Sequence, residues 1–354
     1  MSLFENTIAA IRPPSETAKN AADERLNSLT KPPGSLGYLE EIVKRYAAIR
    51  RDPQAHRGAG AIAVFVADHG IAEEGVSAFP QAVTVEMLRN LAGGGAAISV
   101  LARRFGYDLR IIDIGVATDT SSPGFPGVHY RRIRPGAQNS AQGPAMSREE
   151  TRRAIEIGIE VAGEFAAAGV KLIGIGEMGI ANSTSAAAVL AAINHVAPEK
   201  LAGRGTGLDD RKLHHKIEVI GRALELHRDA LQGGEAILAA VGGGEIAAMA
   251  GVCLGGAALD VPVVVDGFIA TAAAAAAETI HPGLRDHLFF SHRSAEGGHA
   301  LALEALDARP ILDLDMRLGE GTGAALAMNV IEAALDLFHD MATFQSAGVS
   351  AKIR

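Results

Sequence analysis

Two glutamates set in glycine are the residues of this chain best suited to chemistry. Glu177 stands in Gly174-Ile-Gly-Glu-Met-Gly179 and Glu320 in Arg317-Leu-Gly-Glu-Gly-Thr-Gly323. Glycine lets the backbone approach a ligand and adopt positive φ at little steric cost. A carboxylate carried there can meet a reacting proton instead of packing against a neighbour, which is the work of a general base. A single glycine-flanked glutamate is more often a solvated loop residue. Two of them, each following a short apolar run (Val170–Gly176 and Pro310–Leu314) and each leading into a helix, point to function. In an open α/β sheet, ligands bind where the chain leaves the carboxyl ends of the strands.

Other polar residues stand at comparable points: Asp68-His69-Gly70, Glu245 after three glycines, Asp266-Gly267, and Ser291-His292-Arg293-Ser294. Asp68 and Asp266 are equally readable as caps of the following helices. Gly179-Ile-Ala-Asn-Ser-Thr-Ser185 opens a helix with small and hydroxyl residues. Gly203-Arg-Gly-Thr-Gly207 is a flexible turn with a cation, and Lys216 lies on the helix after it. Helix amides, hydroxyls and a lysine suit a phosphate, although a glycine pair by itself is ordinary turn punctuation.

Several chemistries lack their signatures. No Walker sequence, GxGxxG after a first strand, HExxH, CxxC or GxSxG elbow is present, and the histidines are scattered. A metal is not expected. The net charge of −8 disfavours nucleic acid, and the basic cluster His129–Arg134, with the single aromatic Tyr130, reads as a solvated loop. Cys253 is the sole cysteine and reads as a buried thiol. The N-terminus lacks a signal-peptide pattern, and the apolar stretch Ala236–Val265 is broken by Glu245, Asp260 and Pro262. A cytoplasmic protein without a membrane span is expected.

The elements that must position these residues follow from the hydrophobic pattern. The 354 residues are 48% hydrophobic, with 41 glycines and no tryptophan, so the core must be built from Ala, Val, Ile and Leu. Strand candidates are Ala61–Ala67, Leu109–Ile114, Val170–Ile175, Ile237–Val241, Val261–Val265, Leu288–Ser291 and Pro310–Leu314. Helical stretches lie between them at Thr84–Phe105, Ser147–Ala168, Ser183–His195, Asp210–Leu231, Phe268–Thr279 and Ser294–Ala305. Continuous apolar strands separated by helices indicate an α/β fold with a doubly wound, mostly parallel, Rossmann-like sheet. Residues 117–146 read as a long connection. Residues 1–58 with 340–354 are expected to form a small helical domain, and residues 59–339 the α/β domain.

Seven segments in order resemble the nicotinate-nucleotide–dimethylbenzimidazole phosphoribosyltransferase family. They are Lys31-Pro-Pro-Gly-Ser-Leu-Gly37, Ala67-Asp-His-Gly70, Glu74-Gly-Val-Ser77, Gly176-Glu-Met-Gly179, Gly203–Asp210, Ser291-His-Arg-Ser-Ala-Glu296 and Leu314–Ala324. The chain departs from the family at Gly244, where Phe precedes Glu245, and at Ala181, where glycine is usual. The resemblance implies transfer of the phosphoribosyl group of nicotinate mononucleotide to 5,6-dimethylbenzimidazole. The products are α-ribazole 5′-phosphate and nicotinate, formed with inversion and without a cofactor, in cobalamin biosynthesis. It implies that Glu320 is the base and that Glu177 supports it. Nucleotide and phosphate contacts fall to Gly176, Gly179, Asn182, Ser183, Thr184, Ser185, Gly205, Lys216, Glu245, Asp266, Ser294 and Arg317. The acceptor pocket falls to Phe79, Val83, Met87, Met178 and Leu318. It also implies a homodimer, with the Arg317–Glu320 segment near the neighbour's site. A related transferase using another acceptor base and a non-catalytic nucleotide-binding module are the alternatives, since an apolar pocket distinguishes one methyl group by only about 1–3 kcal/mol.

Overall fold

A computed structural model describes residues 1–350 apart from 122, 123 and 206. Thr206 of the 203–207 turn, two residues of the 117–146 connection and the last four of the 340–354 segment therefore lie outside the described residues. Seven strands form one sheet: β1 Ala59–Ala67, β2 Asp108–Gly115, β3 Val128–Tyr130, β4 Val170–Met178, β5 Val263–Val265, β6 Leu288–His292 and β7 Pro310–Leu312. Their order is β3-β2-β1-β4-β5-β6-β7, and every pairing is parallel. The chain winds outward from β1 through β3 and then returns to lay β4 beside β1. That reversal makes the β1/β4 boundary the topological switch point, where doubly wound sheets open a crevice.

The helices are α1 Leu3–Ala10, α2 Glu16–Ser28, α3 Tyr38–Arg50, α4 Val83–Ala92, α5 Ala97–Phe105, α6 Arg148–Ala167, α7 Asn182–Asn194, α8 Asp210–Leu226, α9 Gly234–Val241, α10 Gly244–Ala258, α11 Phe268–Ile280, α12 His299–Ala305, α13 Thr322–Asp340 and the short α14 Phe344–Ala347. Alternation along β1 divides the core in two. Ala61, Ala63, Phe65 and Ala67 face a layer made by α6, α7, α9, α10 and α11. Ile62, Val64 and Val66 face the layer of α2, α3, α5 and α13.

The first layer is built at backbone range. A Cβ on Gly158 of α6 would run into the Ala248 carbonyl of α10, and one on Gly251 of α10 into the Ile155 carbonyl. Both glycines exist so that two helices can touch main chain to main chain. The Ala272–Ala277 run is a fully buried stretch of α11, consistent with helix packing on the sheet.

Three expectations are corrected. Ile237–Val241 is not a strand but the end of α9, because a short apolar run suits a buried helix equally well. Thr84–Phe105 is two helices, broken at Gly93-Gly94-Gly95. The 117–146 connection contains β3, which adds an edge strand to β2. The terminal segments meet through Thr30 N–H donating to the Ala342 carbonyl at 2.9 Å and Arg25 donating to the carbonyls of Phe338 and His339.

Candidate active site

Glycine brings the two glutamates together. Gly319, Glu320 and Gly321 all have left-handed backbones, with φ of +86°, +63° and +85°. A Cβ on Gly176 would collide with the Gly321 amide, and one on Gly319 with Oε1 of Glu177. The two motifs interlock at positions where a side chain cannot fit, and Glu320 N–H donates to the Glu177 carbonyl at 3.2 Å. Glu320 is a non-glycine residue in a strained region, a state that persists only where surrounding structure over-determines it. Asp266, at the end of β5, supplies part of that constraint. Its carboxylate accepts from Gly321 N at 3.1 Å and Ala324 N at 2.9 Å. It caps α13, not the helix that follows it in sequence.

Above this junction lies a cavity of about 300 Å³. One end is made by the α7 N-terminus, the 203–205 turn and Lys216. The Lys216 ammonium, fully buried, donates to Ser183 Oγ at 3.0 Å and to the Gly203 carbonyl at 3.1 Å. Its third donor finds no partner among the described residues. Burial pulls its pKa down to about 8, with Glu296 opposing the shift. Glu296 also receives Gly205 N–H at 2.9 Å, which fixes the turn beside the lysine. An ammonium with a donor to spare, next to a helix N-terminus, can seat an anion.

Glu177 forms the middle of the wall. Asn182 Nδ2 donates to one carboxyl oxygen, yet burial, reinforced by the nearby Glu245, Asp266 and Glu320, pushes the pKa up to about 8. Asp266 is likewise raised to about 7, chiefly by burial. Glu320 is raised by burial as well, opposed by the backbone amides of Ile98 and Ala97 at the start of α5. The Ile98 contact is long, 3.5 Å. Three carboxyls thus share a poorly solvated pocket in which full ionisation is unfavourable.

The structure sorts the residues named from sequence. Glu177, Gly179, Asn182, Ser183, Gly205, Lys216, Ser294 and Arg317 line the cavity, as do Phe79, Met178 and Leu318. Gly176, Asp266 and Glu320 stand immediately behind this wall, with the Glu320 carboxylate turned to the α5 amides. Thr184 is sealed inside α7 with its hydroxyl unpartnered. Val83 and Met87 are half-buried against the apolar clusters and do not line the cavity. Glu245 and Ser185 lie beneath the cavity, joined through His69. The imidazole Nε2 is 2.6 Å from Glu245 Oε1, and Nδ1 is 2.9 Å from Ser185 Oγ. Burial alone would lower the His69 pKa, but the Glu245 carboxylate outweighs it and the group is raised. One Glu245 oxygen is thus engaged by His69, while the other, Oε2, is buried without a partner among the described residues. His69, His292 and Glu296 occupied segments singled out in the sequence without being assigned a role. The strand-end place of His69 and His292 was the available signal, and for Glu296, four residues beyond β6, it was the Ser291–Glu296 segment.

Known proteins resemble the whole of this architecture. A family model described as phosphoribosyltransferase (DBI_PRT) matches residues 11–349. The nicotinate-nucleotide–dimethylbenzimidazole phosphoribosyltransferase of Pelodictyon phaeoclathratiforme is 50% identical over 342 residues, covering 97% of this chain and 96% of that protein. The protein of the same name from Chlorobaculum tepidum is 48% identical over 349 residues, covering 99% and 98%. The crystal structure of CobT from Thermus thermophilus superimposes with a TM-score of 0.90 at 46% identity, over 95% of this chain and all of that one.

Proposed function

This chain belongs to the nicotinate-nucleotide–dimethylbenzimidazole phosphoribosyltransferase family, and we propose that the cavity at the β1/β4 switch point carries that transfer. The donor nucleotide's phosphate sits on the α7 amides, Ser183 and the spare donor of Lys216. The benzimidazole packs between Phe79, Met178 and Leu318. One acceptor nitrogen attacks the anomeric carbon from the face opposite the pyridinium. The carbon–nitrogen bond to that ring breaks, its electron pair returns to the ring nitrogen, and nicotinate leaves without needing a proton. The second acceptor nitrogen gives up its proton to Glu320, whose carboxylate is held to α5 only by a long contact and can leave it by side-chain rotation.

The environments of the two glutamates support dividing their roles. Glu177, at about 8, is mostly protonated at neutral pH in the empty cavity and can orient a substrate by donating a hydrogen bond. Glu320 is raised by burial as well, but the backbone amides of Ile98 and Ala97 oppose that shift and favour its ionised form, the form a base requires. Holding two substrates in line can supply roughly 7–11 kcal/mol, more than a single base provides. The observation that carries this reading is the glycine interlock, which sets two carboxyls against one wall of a cavity whose far end is cationic.

Incubating the protein with nicotinate mononucleotide and 5,6-dimethylbenzimidazole tests it. Acceptor-dependent release of nicotinate is expected. Nucleotide binding with no release would instead favour a binding module, and release with other bases would move the acceptor assignment. We propose in addition a cytoplasmic homodimer. Phe79 and Leu318 support the pairing, because they line the cavity while remaining 49% and 59% exposed. No described helix is long and apolar enough to cross a membrane. The division into residues 1–58 with 340–354 and residues 59–339 remains part of the proposal, supported by the Leu29–Thr343 bridge, with α2 and α3 sharing one apolar cluster with the sheet.

A further inference from the structure

His292 ends β6 and lines the cavity beside Ser294 and Gly267, with only 2% of its surface exposed. Its tautomer follows from its neighbours. Ser291 Oγ donates its single proton to the Asp266 carbonyl at 2.6 Å. That hydroxyl can therefore only accept from His292 Nδ1, 2.9 Å away. The Asp266 carboxylate, at 4.0 Å, is too distant to compete as a hydrogen bond. Nδ1 carries the proton, and Nε2 is left as a lone pair. Burial lowers the pKa of the ring and keeps it neutral.

The ring has no room to turn away. A Cβ on Gly323 would overlap Nδ1, and one on Gly267 would lie 3.2 Å from Cε1, so two helix-initiating glycines hold it from either side. His299 closes the remaining side edge-on, its centroid 6.3 Å away. Nε2 has no partner among the described residues. A fixed, neutral acceptor in a nine-tenths buried position requires a donor from whatever fills the cavity. Of the groups on a nucleoside monophosphate carrying a pyridinium, the phosphate oxygens accept and the ring nitrogen bears no proton. The sugar hydroxyls are its donors, and the other N–H brought to the cavity, on the acceptor base, is committed to Glu320.

We propose that His292 reads the sugar of the donor nucleotide, its Nε2 accepting a hydrogen bond from a ribosyl hydroxyl and so selecting ribo- over deoxyribonucleotides. The proposal rests on the function assigned above, but it is tested by binding, which does not depend on turnover. Calorimetric titration would compare nicotinate mononucleotide with its 2′-deoxy and 3′-deoxy analogues. The wild-type protein is expected to prefer the ribonucleotide over one analogue by about tenfold or more, since a site built for a hydroxyl rejects the ligand lacking it. His292→Asn keeps an amide donor for Ser291 and removes the acceptor, which should reduce the preference to less than about threefold. His292→Gln returns an oxygen near the Nε2 position and should restore part of it. As a measurement independent of variant folding, the nitrogen NMR signal of Nε2 in the wild-type protein should shift with the ribonucleotide and not with the discriminated analogue. Equal binding of all three nucleotides, a preference unchanged in His292→Asn, or an Nε2 signal indifferent to the hydroxyl would each overturn the inference. Nucleotide binding that obeys the hydroxyl rule without nicotinate release would overturn the catalytic reading alone.

Discussion

The two ends of the cavity are built on opposite principles. At the Lys216 end every group is held: the ammonium by Ser183 and Gly203, the turn by Glu296, and Glu177 by Asn182. At the Glu320 end the backbone is fixed by the glycine interlock and by Asp266, but the carboxylate itself makes only a long hydrogen bond to the Ile98 amide. The difference teaches that the groups proposed for binding are held at their polar tips, whereas the proposed base is held through its backbone and only lightly at its carboxylate. A phosphate seat gains from preorganisation, because a held donor loses little entropy when the ligand arrives. A base that must receive a proton during the reaction gains from a carboxylate that can turn about its own side-chain bonds on a fixed backbone.

That contrast is broken most directly at Glu320. Glu320→Gln is expected to lower kcat by about 10²–10⁴-fold with little change in the KM for nucleotide, as followed by nicotinate release, while circular dichroism shows an intact fold. A rise in KM alone would mean that this end binds rather than reacts. Next in size, Lys216→Ala should raise the KM for nucleotide by about 10- to 100-fold, the value of charged hydrogen bonds to a phosphate, and leave kcat nearer wild type. If nucleotide titration shows no weakening, the anion seat lies elsewhere.

A third measurement addresses Glu177. Its pKa rises from the unfolded value near 4.5 to about 8 in the folded protein, so the native state binds the extra proton between those limits. Stability from this group is complete below about pH 4.5 and is lost as pH rises through about 8. The thermal midpoint of the unliganded protein should fall across that window, and Glu177→Gln should flatten the fall. An identical slope in both proteins would show that the carboxyl is ionised throughout. The smallest effect is expected at Ala181, whose φ of +72° suits glycine. Ala181→Gly should add up to about 1 kcal/mol of stability by relieving strain, visible as a small rise in the denaturant midpoint.

The Ala181 case illustrates what could be read from sequence. The departure from the family's glycine was visible, but its cost was not until the backbone angle was known. Strands β1, β2, β4, β5, β6 and β7 were legible because buried parallel strands are continuous apolar runs between helices. Ile237–Val241 failed because apolarity alone does not distinguish a short strand from a helix end. β3 was hidden by its three-residue length among prolines and arginines. At the site, the glycines around Glu177 and Glu320 marked both residues. The pairing of Glu245 with His69 could not be read, since it joins residues 176 positions apart.

The close seating of α10 on α6 reaches further than packing. Glu245 lies in the first turn of α10, only three residues before Ala248, whose carbonyl lies against the bare Cα of Gly158. The absent side chain at 158 thus works as a spacer of zero thickness that sets how high Glu245, and the imidazole it grips, stand under the cavity floor. Widening that gap by one methyl group would tilt the floor from a position that touches no substrate.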